Sequence, residues 1–192
     1  MKTIYFVTSN KGKVKEAKKK FSELDLNVIQ KDIGYPEIQT DDLKKVVESG
    51  IGHIKEKFDY PFILEDAGLF IDTLGGFPGV FSAYVYKTLG CKGILKLMEN
   101  NENRSAVFRS VYGYYKNKKK KVFIGQCKGI ISKEIKGNKG FGYDPIFIPV
   151  GKNKTFAQMT TIEKNEVSHR GRALDKLADF FKKSWIENFN KI

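Results

Sequence analysis

The first third of the chain alternates two hydrophobic periods, and that alternation restricts the kind of sheet it can build. Ile4 to Val7 form a short apolar run typical of a buried strand. Val14, Ala17, Phe21 and Leu24 then recur at helical spacing, with lysines filling the outer face. A second strand is expected around Val28 to Ile29, followed by a loop over 32–40. Asp41 is placed to cap an amphipathic helix with Leu43, Val46, Val47, Gly50, Ile51, Ile54 and Phe58 inward. Phe62-Ile63-Leu64 is a third buried strand, ending in Glu65-Asp66. A β-α-β-α-β opening of this kind points to an α/β sheet.

The middle of the chain reads differently. After the turn-rich Gly75-Gly76-Phe77-Pro78-Gly79 come short helical stretches that include Ile94, Leu95, Leu97 and Met98. Ser105 to Tyr115 and Lys121 to Ile131 read as two long strands joined through Asn117-Lys118 as a hairpin. Thr160-x-x-Glu163 has the form of a capping box, and a closing helix carries Leu174, Leu177, Phe181 and Trp185 on one face. There are no internal repeats. At 192 residues the chain suits one domain, with room for two lobes that share a sheet.

Charge and cysteine usage narrow the function classes. A formal charge of +13, from 35 basic and 22 acidic residues, favours anionic partners without choosing between nucleotides and nucleic acid. The lysine run 118–121 reads as a solvated hairpin tip. Cys91 and Cys127 lack metal-ligand spacing and are expected to be reduced thiols. No apolar run approaches the ~20 residues needed to cross a bilayer. The first residues do not form a signal peptide, so a cytoplasmic location is expected. His53, between Gly52 and Ile54 in the second helix, is expected to be a partly buried or surface histidine and not a ligand.

Four segments carry chemistry. Of the 35 basic residues only Arg104, Arg109, Arg170 and Arg172 are arginines, and two of them fall in Ser168-His169-Arg170-Gly171-Arg172. An arginine kept against so strong a lysine bias suggests a need for a flat, multi-donor guanidinium facing a planar ligand or a phosphate. Thr8-Ser9-Asn10-Lys11-Gly12-Lys13 leaves a strand and opens a helix, where backbone amides, Asn10 and Lys13 can meet phosphate oxygens. The spacing is not that of a Walker A loop. Glu37 and Glu65-Asp66 supply carboxylates at strand ends, the edge where open α/β sheets bind ligands. Carboxylates beside a triphosphate are the usual holders of Mg²⁺. Phe141-Gly142-Tyr143-Asp144-Pro145 sets two rings beside a carboxylate, suited to a base and its sugar.

Taken in order, these segments resemble the inosine triphosphate pyrophosphatase family, whose members hydrolyse non-standard purine nucleoside triphosphates. The likeness runs through Thr8-x-Asn10-x-x-Lys13, Pro36-Glu37, Glu65-Asp66-x-Gly68-Leu69, Gly75-Gly76-x-Pro78-Gly79, Phe141-Gly142-Tyr143-Asp144-Pro145 and Glu163-Lys164-Asn165-x-Val167-Ser168-His169-Arg170. The resemblance implies an elongated central mixed sheet flanked by helices, with a nucleotide cleft between two lobes, a homodimer and a Mg²⁺ requirement. Carried over by motif, Thr8, Ser9, Asn10, Lys11, Gly12 and Lys13 would bind phosphates. Glu37 and Asp66 would hold the metal, with Asp66 also the base. Ala67, Phe141, Gly142, Tyr143, Asp144, Lys164, His169 and Arg170 would contact the nucleotide. Tyr143 stands where the family often has Trp, Ala67 where Ser or Thr is common, and Ser49-Gly50 near a frequent phosphate-binding lysine that Lys44 or Lys45 would have to replace. The competing readings are a basic nucleic-acid-binding module and a same-fold enzyme acting on other modified nucleotides. The carboxylates Glu37, Glu65 and Asp66 count against the first.

Overall fold

Strand β1 (Lys2–Val7) lies between β2 (Leu26–Lys31) and β3 (Phe62–Ile71) and runs parallel to both. β3 is then followed across the sheet by β5 (Ser105–Lys116), β6 (Lys119–Ile131) and β7 (Phe147–Pro149), all antiparallel to their neighbours. The two-residue β4 (Pro78–Gly79) pairs with the far half of β3, which completes a seven-stranded mixed sheet in the order β2-β1-β3-β5-β6-β7. The computed structural model describes residues 2–22 and 24–189, with backbone only for 185–189, so the expected inward face of Trp185 lies outside the described residues.

Helices α1 (Lys11–Lys20) and α2 (Leu43–Ile54) are the two crossover helices that parallel strands require. α1 buries Val14 and Ala17 and ends in Lys18, Lys19 and Lys20, where cations favour the negative end of the helix dipole. α2 buries all six of the residues expected inward within its span, from Leu43 to Ile54. Phe58 follows the helix and packs partly against the same core. The cap is Asp42 and not Asp41: its carboxylate accepts from the Lys44 amide at 2.8 Å. Two adjacent aspartates offer the same chemistry, and the backbone selects the second.

β3 also departs from expectation. It does not end at Glu65-Asp66 but continues to Ile71, because β5 pairs with it from Phe62↔Tyr115 to Ile71↔Ala106. β1 stops at Val7, opposite Leu64, so the edge of β3 beyond that point has lost its parallel neighbour. The two acidic residues sit at this step in the sheet. The expected hairpin is present as a two-residue turn, with Asn117 at φ 49 and Lys118 at φ 61.

Three buried clusters form the core. One, with Phe6, Phe21, Ile63, Tyr112 and Leu177, lies under α1 and α6 (His169–Phe189). A second, with Val47, Ile51, Phe62 and Leu64, lies under α2 on the opposite face. The third, with Leu69, Ile94, Met98, Phe108, Ile131 and Phe147, fills the far end beneath α3 (Ser82–Thr88) and α4 (Gly90–Leu97). Cys91 and Cys127 belong to this third cluster as free, buried thiols. Among the described residues no helix is long and apolar enough to cross a membrane.

Candidate active site

The step in the sheet opens into a cleft of about 270 Å³ bounded by the first and third clusters. Its lining brings together Asn10, Lys13, Asp66, Ala67, Phe141, Gly142, Tyr143, Asp144, His169 and Arg170, residues widely separated in sequence and all singled out from it. Two wider surface grooves, of about 660 and 600 Å³, flank the lysine-rich hairpin tip and contain none of these groups.

The turn before α1 is held by its own side chains. Asn10 Oδ1 accepts from the amides of Gly12 at 2.8 Å and Lys13 at 3.2 Å, and Thr8 Oγ1 accepts from the Asn10 amide at 3.1 Å. These three amides are therefore committed within the turn, which leaves less free backbone for an anion than a helix start ordinarily offers. Lys13 Nζ donates to the Glu65 carbonyl at 3.0 Å and pairs with the Glu65 carboxylate at 2.7 Å. Gly12 has a steric role: a Cβ there would sit 2.6 Å from the ring of Phe141. The absent side chain lets the turn before α1 touch the Phe141 loop. Ser9 and Lys11 are exposed and do not line the cleft.

Alternation along β3 turns Glu65 and Asp66 to opposite faces. Glu65 is 3% exposed and bonded to Ser110 Oγ at 2.7 Å, Arg170 Nε at 3.1 Å and Lys13. Burial alone would raise its carboxyl, but Arg170 and Lys13 outweigh that and pull it down to about 2. Asp66 is the reverse. Burial, with the nearby charges of Glu65 and Glu37 overriding Lys13, pushes it up to about 7. Among the described residues its Oδ1 accepts only from the amide of its neighbour Ala67, at 2.9 Å. Glu37 is exposed on the loop before α2 and acts on Asp66 through its charge. Tyr35 feels Asp66, Glu37 and Glu65 together, which add to burial in raising its hydroxyl. Among the described residues no three of His, Cys, Asp and Glu converge as a ready-made metal cage. The donor set is instead one raised carboxyl, Asp66, with a second carboxylate nearby. That excess of negative charge suits a hard cation that keeps most of its ligands from water and substrate.

The end of the cleft formed by Phe141, Asp144 and Arg170 rests on a buried ionic network centred on Glu16, a residue not singled out in the sequence. Lys164 Nζ lies 2.7 Å from Glu16 Oε1 and 2.6 Å from Asp144 Oδ2, and Arg170 Nη1 lies 2.7 Å from Glu16 Oε2. Burial would raise Glu16, but Arg170 and Lys164 hold it below its ordinary value. Asp144 also accepts the Phe141 amide at 2.8 Å, and burial raises its carboxyl against the pull of Lys164. The Phe141 ring lies under both cations, 4.8 Å from Lys164 Nζ and 5.2 Å from the Arg170 guanidinium carbon. Tyr143 is 2% exposed, donates to the Ser82 carbonyl at 3.2 Å and meets Tyr86 edge-on, so it forms a wall of the cleft.

α5 (Thr161–Val167) starts with the expected Thr160–Glu163 capping box and ends at Ser168, whose Oγ accepts the Gly171 amide at 3.0 Å at the start of α6. A Cβ on Gly171 would lie 1.7 Å from the Asn165 carbonyl, so this glycine allows the tight bend that turns His169 and Arg170 inward. His169 stacks on Phe108 with ring centroids 4.5 Å apart. Burial, reinforced by Arg170, lowers it well below its ordinary value, so the ring is neutral, and its buried Nδ1 has no hydrogen-bond partner among the described residues. Of the four arginines only Arg170 lines the cleft. Arg172 is exposed and bonds the Gln126 carbonyl at 2.8 Å, while Arg104 clamps three carbonyls of the far lobe and Arg109 lies over Phe70. Lys44 and Lys45 do not line the cleft; Ser82, Tyr86, Lys87 and Phe108 do, and none of these four was singled out in the sequence.

Comparison with known proteins fits this arrangement. The chain is 52% identical over 179 residues to the dITP/XTP pyrophosphatase of Thermococcus kodakarensis, covering 93% of this chain and 97% of that protein. It is 51% identical over 179 residues to the dITP/XTP pyrophosphatase of Pyrococcus horikoshii, covering 93% and 96%. The solved structure of the Staphylococcus aureus Ham1 protein superposes with a TM-score of 0.82 at 29% identity, over 95% of this chain and all of that one. The sequence profile of the Ham1 family matches residues 4–180, and the chain belongs to that family.

Proposed function

We propose that the protein is a nucleoside triphosphate pyrophosphatase that converts non-standard purine nucleoside triphosphates, ITP, dITP and XTP among them, to the monophosphate and pyrophosphate. The observation that carries this reading is Asp66: a carboxyl raised to about 7, lining a cleft that holds Lys13 on one side and Phe141, His169 and Arg170 on the other. A general base is most effective with its pKa near the working pH. Asp66 takes the proton of a water that attacks the α-phosphorus, and Lys13 steadies the departing pyrophosphate. Phe141 stacks the base over its ring face. Neutral His169 and the guanidinium of Arg170 meet the atom at purine position 6, an oxygen in hypoxanthine and xanthine and an amino group in adenine. Glu37 and Asp66 would hold a Mg²⁺ ion, which supplies charge neutralisation for the triphosphate when bound.

The chain acts as one domain whose two lobes enclose the nucleotide, and the protein works in the cytoplasm as a homodimer. Exposed Phe81, Tyr84 and Leu89 on and beside α3, none of them in the cleft lining, support an association surface, and sedimentation of Tyr84→Glu against the parent checks it. A nucleic-acid-binding role fits less well. The lysine-rich tip is partly neutralised by the Lys120–Glu48 pair, and such a role has no use for Asp66.

The test is Asp66→Asn, which keeps size and removes a base and one metal charge. Turnover of ITP should fall by about 10²–10⁴ while nucleotide affinity stays within about tenfold. Near-normal turnover at saturating Mg²⁺ would remove Asp66 from the reaction.

A further inference from the structure

We infer that Lys87 is a substrate-binding residue of this cleft, holding the polyphosphate tail with the one wall ammonium that, among the described residues, no carboxylate already holds. The inference rests on the triphosphate reading above and adds a contact to it.

The cations at the site are Lys13, Lys87 and Arg170 on the wall, with Lys164 behind Asp144. Lys13 is bonded to Glu65, Arg170 to Glu16 and Glu65, and Lys164 to Glu16 and Asp144. Three cations thus face three carboxyl groups, and any of them that turned fully to a phosphate would leave a buried carboxylate unpaired, which is costly. These groups shape and orient the site, but they bring little uncompensated positive charge to a polyanion. Lys87 is different. It is exposed, and among the described residues its ammonium has neither a carboxylate nor a hydrogen-bond partner.

Its backbone is nonetheless fixed. Ser82, Ala83, Tyr86 and Lys87 share one face of α3, as helical spacing requires, and all four line the cleft. Ser82 Oγ accepts the Leu69 amide at 2.8 Å and donates to the Gly79 carbonyl at 2.6 Å, which ties α3 to β3 and β4. The Ser82 carbonyl in turn accepts the Tyr143 hydroxyl, and Tyr86 packs against the Tyr143 ring at 5.3 Å. A long, free cation on a tethered helix, in the same cleft wall as Lys13 and Asp66, can close on phosphate oxygens without breaking any bond. The plain alternative is a solvated lysine serving only the negative end of α3.

The experiment compares the parent protein with Lys87→Ala, Lys87→Glu and Lys87→Arg. It measures KM for ITP, the inhibition constant of IMP, and direct binding of inorganic tripolyphosphate by calorimetry. A charge-assisted contact predicts that Lys87→Ala raises KM for ITP and weakens tripolyphosphate about tenfold, with IMP changed less than twofold. Lys87→Glu should be worse and Lys87→Arg close to the parent, all with melting temperatures near that of the parent. Values of ITP KM and tripolyphosphate affinity within twofold of the parent in both Lys87→Ala and Lys87→Glu would overturn the assignment. Equal losses for ITP and IMP would also overturn it, by moving Lys87 off the phosphates. Failure of the parent protein to release IMP from ITP would instead sink the triphosphatase reading, while tripolyphosphate binding would still report on Lys87.

Discussion

Replacing Glu16 by Gln should cost this protein both stability and selectivity, and the size of the first effect follows from the contacts. Glu16 is 5% exposed and accepts two charge-assisted bonds of 2.7 Å, from Lys164 and Arg170. Breaking a buried ion pair by removing one partner costs about 3–5 kcal/mol. The lower end applies here, because Lys164 keeps Asp144, Arg170 keeps Glu65, and the new amide oxygen can still accept one bond. About 3 kcal/mol in a chain of this size corresponds to a fall of about 6–12 °C in Tm. The pH dependence has a definite sign. The folded-state carboxyl of Glu16 is held below its ordinary value of 4.5, so its contribution is complete above that value and is lost as pH falls through and below it. Thermal melts of the parent and Glu16→Gln should therefore differ fully at pH 7 and converge on acidification. A difference under about 2 °C at pH 7, or one that does not shrink in acid, would refute the view that Glu16 is an ionised anchor of the network. Where Glu16→Gln folds, Arg170 has one tether fewer and the preference for ITP over ATP should narrow.

Two other substitutions separate the ends of the cleft. Lys13→Ala should weaken ITP far more than IMP, because its proposed partners in the complex are phosphates absent from the product; equal losses, read from KM and product inhibition, would move Lys13 elsewhere. Arg170→Lys keeps the charge but loses the planar fork that reaches Glu65 and Glu16 at once, so kcat/KM for ITP should fall more than that for ATP. An unchanged ITP:ATP ratio would show that Arg170 takes no part in reading the base.

How much of this was legible in the sequence depends on whether the cause was local. The β-α-β opening and its inward residues follow from short-range periodicity, and so does the hairpin turn at Asn117-Lys118. The length of β3 was not legible, because it is set by pairing with β5 some forty residues later, and two acidic residues in mid-strand look like an end. Asp66, Phe141, His169 and Arg170 each stand out in the sequence by their own chemistry, but their meeting in one cleft depends on small close contacts such as that of Gly12 with Phe141. Glu16 was hidden among lysines. A usable signal existed: it is the one acidic residue of α1, next to Ala17 on the buried stripe. Arg172 misled for a geometric reason, since residues two apart on a helix point to nearly opposite sides. Lys87 carries no local signal, because only the docking of α3 brings it to the cleft.

The most direct measurement is hydrolysis of ITP with Mg²⁺ in ¹⁸O-water, with products resolved by phosphorus NMR and mass spectrometry. Attack at the α-phosphorus gives equimolar IMP and pyrophosphate, with the label in IMP alone. Label in pyrophosphate, or formation of IDP and inorganic phosphate, would contradict the arrangement of Asp66 and Lys13 about the reacting bond.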